Sequence, residues 1–323
     1  MSGAASAYGP PKRFPTANYL FFSNERFAPK RLEELEKAFF WNLILKNRTH
    51  KTTYHHRLDD LNALVAAHLP AHRPLEIMDV AVSSGVSTAE WVHSLQRGGI
   101  EHHMLAGDLL VYAWLVHVGR NTRVLVDRSG YALQLDIGGR AIRTPLRKRD
   151  WLCHGAAILA INRILRRITP QLREMPPDRF LEEPLTLRGV SCRPVELVSR
   201  ALRSCAHVEL VEDDILNDHR YAGRFHVVRA ANILSRVYFD DAVLAAMLRN
   251  LRSRLAPGGL LIVCRTMDDG ISHASLFCLR ATGRFEVVAR LNEGSEIEDL
   301  ALGLPHAAVP GARSDRADRS RRG

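Results

Sequence analysis

Residues 75–88 read LEIMDVAVSSGVST and contain, in order, the parts of a strand–turn–helix unit. Residues 75–82 are mostly apolar, as in a buried strand. Residues 83–85 are small, and Ser87 and Thr88 suit the first turn of a helix. A turn of small residues lets a ligand approach the backbone, and the first N–H groups of the following helix point toward that ligand. The stretch therefore predicts a binding turn at the end of a strand.

The rest of the chain alternates strands with helices, which is typical of a parallel sheet covered by helices on both faces. Apolar runs predict strands at 75–82, 103–107, 207–212, 225–230 and 259–265. Helices are predicted at 87–97, 109–118, 193–204 and 241–256. An antiparallel pair at 274–280 and 285–291 closes the pattern. We therefore expect an α/β fold with a Rossmann-like, seven-stranded, mostly parallel sheet.

Two segments lie outside this alternation. The N-terminal part, 1–72, carries an irregular arm and two predicted helices, at 31–46 and 58–69. An insertion at about 119–192 separates the second strand from the third, and it contains a hairpin at 123–137 and a basic amphipathic helix at 151–167. The expected organisation is an N-terminal extension at 1–72, a main domain at 73–305 with its insertion, and a disordered arginine-rich tail at 306–323.

The composition is that of an ordinary folded protein. The chain has 323 residues, of which 46% are apolar and 25% charged, so it can bury a large core and is not disordered in bulk. The longest apolar run, 109–116, is far shorter than the roughly 20 residues of a membrane-spanning helix, and no secretory signal is recognisable. Five scattered cysteines without a CxxC pair suit a reducing cytoplasm and predict no metal site.

The net charge of +10 is concentrated in two segments. Residues 139–173 carry nine basic side chains against one acid, Asp150, and residues 311–323 carry five arginines against two aspartates. Such clusters are typical of a solvated helix face, or of a patch for an anionic membrane surface, nucleic acid or an acidic substrate. The absence of any nucleic-acid-binding signature argues against nucleic acid. For the helix at 151–167, a packed lid and contact with an anionic membrane surface are the alternatives.

Polar residues follow the predicted parallel strands at their carboxyl ends. Asp108 follows the second strand, Asp213 and Asp214 follow the third, and Asn232 follows the fourth. A carboxylate about 20 residues beyond the first turn suits the two hydroxyls of a ribose. Neither the glycine-lysine ending of a phosphate-binding loop nor the GxGxxG motif of a dinucleotide site is present.

In this order of motifs, residues 73–300 resemble the class I S-adenosylmethionine-dependent methyltransferases. The shared features are the small-residue turn, the acids after strands two and three, the asparagine after strand four, and the sequence PGG at 257–259. The chemotaxis-receptor methyltransferase group is similar in detail, with a Ser-Thr-Gly turn like residues 83–85 and an Arg-Asn-Val-Leu-Ile-Tyr-Phe stretch like residues 231–239. Here Ala231 replaces that arginine, and two extra residues precede Tyr238.

The resemblance implies S-adenosyl-L-methionine as the cofactor and a small or lipid-like molecule as the methyl acceptor. The cofactor-binding residues that it implies lie at the ends of the first four strands: Asp79, Ala81, Ser83, Gly85, Asp108, Asp214, Ile215 and Asn232. The segment 79–85 would wrap the methionine part, and Asp108 would hold the ribose hydroxyls. Asp214 would accept from the adenine amino group, with Ile215 against the ring. Asn232 would lie near the methionine end and the substrate.

Each of these polar residues also has a structural interpretation. Asp79 would then stabilise the turn, and Asp108 would cap the helix at 109–118. Asp214 and its neighbour Asp213 would be solvated loop acids, and Asn232 a cap or turn residue. No catalytic base is predicted, because a lone strand histidine such as His226 is typically structural. Tyr238 is either a substrate contact or a core aromatic residue.

The expected activity is S-adenosylmethionine-dependent methylation of a small or lipophilic metabolite. The partial similarity to the chemoreceptor group leaves a second possibility, carboxyl O-methylation of a protein side chain. A third is a non-catalytic S-adenosylmethionine-binding regulatory module. The missing glycines at Ala81 and Ser83 keep the third interpretation open.

Overall fold

The computed structural model describes residues 14–23, 26–46, 51, 53, 55–181, 183–217 and 219–305. The chain divides into two compact units, and each unit is discontinuous in sequence. The first unit comprises Met1–Tyr54, Ser83–Val86 and Leu110–Arg203. The second unit comprises His55–Val82, Ser87–Leu109 and Ser204–Gly323.

Helices and strands are numbered in chain order. The helices are α1 (Ala17–Phe22), α2 (Pro29–Asn42), α3 (Asp59–Ala66), α4 (Val86–Arg97), α5 (Lys148–Glu174), α6 (Arg200–Arg203), α7 (Asp241–Arg254) and α8 (Glu298–Leu302), with a 3-10 helix at Pro177–Phe180. The strands are β1 (Leu75–Val80), β2 (His102–Asp108), β3 (Tyr112–Gly119), β4 (Thr122–Val126), β5 (Ala132–Ile137), β6 (Arg140–Arg143), β7 (Leu185–Leu187), β8 (Val190–Glu196), β9 (Val208–Glu212), β10 (Phe225–Ala231), β11 (Leu255–Thr266), β12 (Ser272–Leu279) and β13 (Phe285–Leu291).

The second unit contains the predicted seven-stranded sheet, in the order β13-β12-β11-β10-β1-β2-β9. Strands β9, β2, β1, β10 and β11 are mutually parallel, while β12 runs antiparallel to both of its neighbours. The chain leaves β1 toward β2 on one side and later returns to β10 on the other, as in Rossmann-like sheets. The α/β prediction is confirmed.

Both faces of this sheet are covered by helices, because successive residues of a strand point to opposite faces. In β1, Ile77 packs with apolar residues of α3 and α4. Its neighbours Met78 and Val80 pack instead with α7 residues such as Leu248 and Leu251. The helix predicted at 241–256 therefore forms, and its apolar face supports the opposite side of the sheet from α4.

The first unit is built on a six-stranded sheet, in the order β6-β5-β4-β3-β8-β7, whose neighbouring strands are all antiparallel. In β3, Ala113 and Leu115 pack with α1 and α2, whereas Trp114 and Val116 pack with α5. This sheet, too, is buried on both faces. The predicted hairpin at 123–137 is confirmed as β4 and β5.

Two predicted helices are wrong. Residues 109–118 form most of β3, and residues 193–204 form the end of β8 followed by the single helical turn of α6. A strand buried on both faces is a continuous apolar run, which periodicity alone does not distinguish from a buried helix. In β8, Pro194 lies beyond the residues that pair with β7, so its missing N–H interrupts no ladder on that side.

The boundaries of the insertion also differ from prediction. Residues 110–203, not 119–192, belong with the antiparallel sheet, and residues 14–46 pack against the same sheet. The N-terminal segment is thus part of the first unit, while the predicted helix at 58–69, observed as α3, belongs to the second. The tail at 306–323 lies outside the described residues.

The basic helix predicted at 151–167 is longer than expected and forms α5. It is kinked at His154, whose backbone angles (φ −134°, ψ 18°) are not helical. In the described part of the chain, none of the helices is both long enough and apolar enough to cross a bilayer.

Candidate functional site

The candidate site lies at the carboxyl edge of the parallel sheet in the second unit. Register places Asp79 beside Ala106 on one side and beside Arg229 on the other. The ends of β2, β1 and β10 therefore lie next to one another at the point where the strand order reverses. Open α/β sheets bind their ligands at such a switch point. The sheet brings together six of the eight predicted site residues here: Asp79, Ala81, Asp108, Asp214, Ile215 and Asn232.

Beyond β1 the backbone turns sharply at Ala81, which has a positive φ of 57°. The next N–H, that of Val82, donates to the carbonyl oxygen of Gly107 (3.1 Å), so the chain stays beside β2 as it turns. A left-handed conformation costs an alanine about 1 kcal/mol or more relative to glycine. The loop thus keeps a glycine-like conformation without the glycine, and such strain is often found at ligand-binding loops.

The other two predicted turn residues, Ser83 and Gly85, lie in the short segment Ser83–Val86 that clusters with the first unit. Both have positive φ, 59° and 78° respectively. A Cβ at Gly85 would collide with the side chain of Leu202, and the Ser84 carbonyl accepts from the N–H of Ser199 (2.7 Å). Glycine at this position is therefore required by both φ and close packing.

Asp79 is 2% exposed and is bound on both carboxylate oxygens. Arg229 donates from Nε to Oδ1 (2.9 Å) and from Nη2 to Oδ2 (2.5 Å), and the Thr88 hydroxyl donates to Oδ2 (2.7 Å). The guanidinium also lies over the ring of Trp91, 4.1 Å from its centroid. These contacts match the turn-stabilising interpretation of Asp79, because they hold the end of β1 against β10 and α4.

The prediction did not identify Arg229, although the sequence contained a signal. Arg229 interrupts the apolar strand sequence FHVVRAA, and a charge in such a position is usually paired. Arg254, the last residue of α7, is fully buried as well and donates to Asp213 (2.7 Å). Asp213 is therefore part of a buried ion pair and not a solvated loop acid.

Asp108, the last residue of β2, is buried, and its carbonyl oxygen accepts from the N–H of Asp213 (2.9 Å). Since the following residues form β3, Asp108 caps no helix, and that structural interpretation is removed. Gly107 allows β2 and the chain after β9 to approach closely, because a Cβ there would lie 3.1 Å from the Asp213 Cβ. Asp108 thus stands at the end of a central strand beside the first turn.

Asp214 and Ile215 lie in the turn after β9. The Asp214 carboxylate accepts from the N–H of Leu216 (2.9 Å) and from the Asn217 side chain (2.9 Å), so it holds its own loop. Ile215 is buried against the α7 side of the sheet, and its carbonyl oxygen accepts from Asn250 (2.8 Å). The turn is thereby fixed, with Asp214 at a half-buried position.

Asn232 directly follows β10 and has a left-handed conformation, with φ of 61°. Its N–H donates to the Cys264 carbonyl (2.7 Å), and its side-chain oxygen accepts from the N–H of Thr266 (2.7 Å). Asparagine is one of the few residues that adopts this conformation readily. The side chain therefore fastens the end of β10 to the end of β11.

A second residue that the prediction did not identify is Arg57, just before α3. Its Nε donates to the hydroxyl of Ser87 in the first turn of α4 (3.3 Å). Burial lowers the pKa of the Arg57 guanidinium, the positive charge of Arg229 lowers it further, and Asp79 opposes this shift. Two guanidinium groups therefore lie near the start of α4, where the helix end also favours an anion.

Exposed apolar side chains surround the same edge of the sheet. They occur directly after β2, β10 and β11, in the loops that leave its carboxyl end: Leu109, Val237, Tyr238, Met267 and Ile271. Tyr238 is 62% exposed and is therefore not a core aromatic residue. Exposed apolar side chains are thus present in three of the loops at this edge of the sheet.

His226 lies at the opposite, amino edge of the sheet, as the second residue of β10. Its Nδ1 accepts from the N–H of Glu76 (3.0 Å), and its ring stacks on that of His72, with 4.5 Å between centroids. Its contacts are those of a structural residue, as predicted. Among the described residues, His, Cys, Asp and Glu side chains do not gather in groups of three or more that could hold a metal ion.

Comparison with known sequences gives no match, either to a family model or to a curated protein. Solved structures that are similar include the DszA carbon methyltransferase (13% identity, TM-score 0.31, 74% of this chain and 40% of that chain). An O-methyltransferase family protein from Burkholderia thailandensis matches at 14% identity and a TM-score of 0.30, over 75% of this chain and 44% of that one. A third match is the phosphoethanolamine N-methyltransferase 2 of Haemonchus contortus in complex with S-adenosylhomocysteine (10%, 0.29, 64% and 28%).

The chain thus spans less than half of the length of each of these three matched chains. Similarity this distant carries no argument about activity. The Rossmann-like fold of the second unit is instead established by the order and direction of its own strands.

Proposed function

We propose that the carboxyl edge of the seven-stranded sheet binds S-adenosyl-L-methionine and that the protein is a methyltransferase. The observation that carries the proposal is the convergence of polar strand ends at the switch point. Ala81 offers a sharply turned backbone, Asp108 a carboxylate at the end of β2, and Asp214 a carboxylate at the end of β9. This is the arrangement that a nucleoside with a charged substituent requires.

The chemistry of the donor set fits that cofactor. Two carboxylates serve hydroxyl and amino donors, as on a ribose and an adenine ring. A guanidinium serves the cofactor's carboxylate, and Arg57 is placed for that role beside the first turn of α4. Asp79 would act indirectly, because its ion pair with Arg229 fixes the position of the backbone just before Ala81.

The bound cofactor supplies a methyl group on a positively charged sulfur. The protein's contribution is positioning, because an in-line displacement depends above all on the alignment of the acceptor atom with that carbon. The exposed apolar side chains around the edge, such as Val237 and Tyr238, favour a small or lipophilic acceptor and would exclude water from it. Asn232 and Thr266 hold the two loops that carry these side chains.

Calorimetric titration of the full chain with S-adenosylmethionine and with S-adenosylhomocysteine tests the cofactor. We expect micromolar binding that Asp108→Ala weakens about 10- to 100-fold, the usual loss for a hydrogen bond to a charged group. Glu101→Ala is the matched control, since Glu101 is an exposed carboxylate at the other end of β2 and should leave affinity unchanged. Absence of binding by the folded native chain would refute the proposal.

Activity is tested with cofactor labelled in the methyl group and cell extracts separated into lipid, small-molecule and protein fractions. Label in the first two fractions supports the proposed acceptor class. Label in protein that mild base releases as methanol indicates carboxyl methylation instead. Tight cofactor binding without transfer to any fraction favours a non-catalytic binding module.

A further inference from the structure

Helix α5 presents two contrasting faces. On one face, five side chains pack against the antiparallel sheet of the first unit: Ile158, Ile161, Leu165, Ile168 and Leu172. This burial holds residues 158–172 against the sheet. Beyond the kink at His154, the residues between these buried positions are exposed or half-buried, and before the kink residues 148–149 and 151–153 are all exposed.

The solvent face of α5 is apolar in its first half. Leu152 is 88% exposed, Leu159 is 63% exposed and Trp151 is 44% exposed. The intervening exposed residue at that face, Ala156, is apolar as well. Burying a leucine side chain is worth about 2 kcal/mol relative to exposing it. A surface helix therefore seldom leaves such side chains uncovered together unless something binds there.

The second half of the same face, and the residues that flank the first half, are basic. Exposed cations include Lys148, Arg149, Arg163, Arg166 and Arg167. The acids are few, since Asp150 accepts from the N–H of Arg147 (2.8 Å) as part of the helix start, and Glu174 is the last residue of the helix. An exposed apolar patch thus lies between basic side chains on one helix face.

This combination selects among possible occupants. A second copy of the chain would bring like charges together, and the arginine-rich segment 311–323 would be repelled for the same reason. Nucleic acid would use the cations but would leave Leu152 and Leu159 in water. The interface of an anionic bilayer takes both kinds of side chain, because apolar groups enter the acyl boundary while cations meet the headgroups.

We propose that the solvent face of α5 is a docking surface for an anionic lipid bilayer. Leu152, Leu159 and Trp151 enter the interface, and the arginines at 163, 166 and 167 meet anionic headgroups. The helix lies along the membrane and does not cross it. The proposal uses none of the residues proposed for the cofactor site.

Co-sedimentation of the full chain with vesicles tests this surface. We expect binding to phosphatidylcholine vesicles containing about one third phosphatidylglycerol at least about tenfold stronger than to pure phosphatidylcholine, weakening from about 0.1 M to about 0.5 M salt. Leu152→Glu with Leu159→Glu, and separately Arg163→Glu with Arg166→Glu, should each lower binding about tenfold or more. Because these side chains are exposed, we expect the variants to have the same unfolding temperature as the native chain.

Two controls distinguish binding by this face from non-specific binding through charge or through any exposed apolar side chain. Arg249→Glu with Arg284→Glu makes the same change of charge on exposed residues of the second unit, and Leu302→Glu changes an exposed leucine of α8. Both should bind vesicles as the native chain does. A blue shift of tryptophan emission on binding should disappear in Trp151→Phe and persist in Trp41→Phe, because Trp91 and Trp114 are buried already and Trp41, in α2, lies outside the proposed surface.

Three outcomes would overturn the proposal. The first is no binding to anionic vesicles, and the second is equal loss in the controls. The third is vesicle binding that both pairs of substitutions leave unchanged, while they abolish dimer formation or polynucleotide binding.

Discussion

At the scale of single residues, Asp79 separates a structural role from a ligand-binding one. The sequence places it at the end of the first strand, where the resemblance makes it part of the cofactor site. In the structure both carboxylate oxygens are occupied by Arg229 and Thr88. The carboxylate thus holds the end of β1, just before the turn at Ala81.

Asp79→Asn should destabilise the second unit by about 3–5 kcal/mol, because it leaves the Arg229 charge buried without its partner. The measurement is urea unfolding followed by tryptophan fluorescence, to which Trp91 contributes through its contact with Arg229. Asp214→Asn is the control, since that half-buried carboxylate accepts from Leu216 and Asn217 of its own turn and should lose less than about 1 kcal/mol. Equal losses in the two variants would show that the ion pair does not hold the unit together.

The turn residues Ala81 and Ser83 show what residue identity does not reveal. Their side chains argue against a glycine-type binding loop, yet both adopt the positive φ that glycine favours. Neighbouring contacts, such as the bond from Val82 to Gly107, hold the loop in that conformation. In this turn the residues are not glycines, but the backbone has positive φ at both positions.

At the scale of helices and strands, the sequence predicted the second unit well and the first unit poorly. The parallel strands have short apolar runs bounded by turn residues, and each was identified within a few positions. The prediction of a helix at 109–118 was wrong because β3 is covered by helices on both sides. It therefore lacks the alternation of apolar and polar residues that marks a half-exposed strand. The pairs Asp79–Arg229 and Asp213–Arg254 join residues far apart in sequence, which a reading of local pattern does not connect.

The amino edge of β10 carries a pH-dependent contact. Burial lowers the pKa of His226, and the charge of His72 lowers it further, while Glu76 opposes them. The folded chain therefore binds a proton on His226 less readily than the unfolded chain, whose histidines titrate near pH 6.5. Stability is fully present above about pH 6.5 and is lost as the pH falls below it toward the folded pKa.

His226→Asn should flatten the dependence of unfolding temperature on pH between about 7.5 and 5.5. The asparagine side-chain oxygen can still accept from the Glu76 N–H while it does not titrate. A smaller slope will remain from His117, whose pKa is lowered by burial and by Arg123. His93→Asn, at an exposed position of α4, serves as the control. If the unfolding temperature of His226→Asn depends on pH as steeply as that of the native chain, His226 is not the source of the dependence.

At the scale of the whole molecule, the N-terminal segment is structural and not an appendage. Phe39, Phe40 and Leu43 are almost fully buried against the antiparallel sheet of the first unit. Each contributes about 2 kcal/mol of burial, and together they cover one face of β3. The sequence predicted a helix here but not its partner, because the strands that it covers begin about 70 residues later.

Deletion of residues 1–46 should therefore expose that sheet face, so the first unit should bind a hydrophobic dye and aggregate. The control readout is Trp91 in the second unit, whose α3 begins after the deletion and whose core packing should persist. The measurements are dye fluorescence, light scattering and limited proteolysis. A soluble, monomeric product with native unfolding behaviour would contradict this role.

The interleaving of the two units in sequence has a consequence for how the chain is made. On the ribosome, β1 and β2 emerge before any of β3 to β8, yet their partners β9 and β10 are synthesised only after the whole antiparallel sheet. The nascent first unit can close once residue 203 has left the exit tunnel, whereas the parallel sheet must wait for nearly the last hundred residues. Translation thus completes the insertion before the domain that it interrupts.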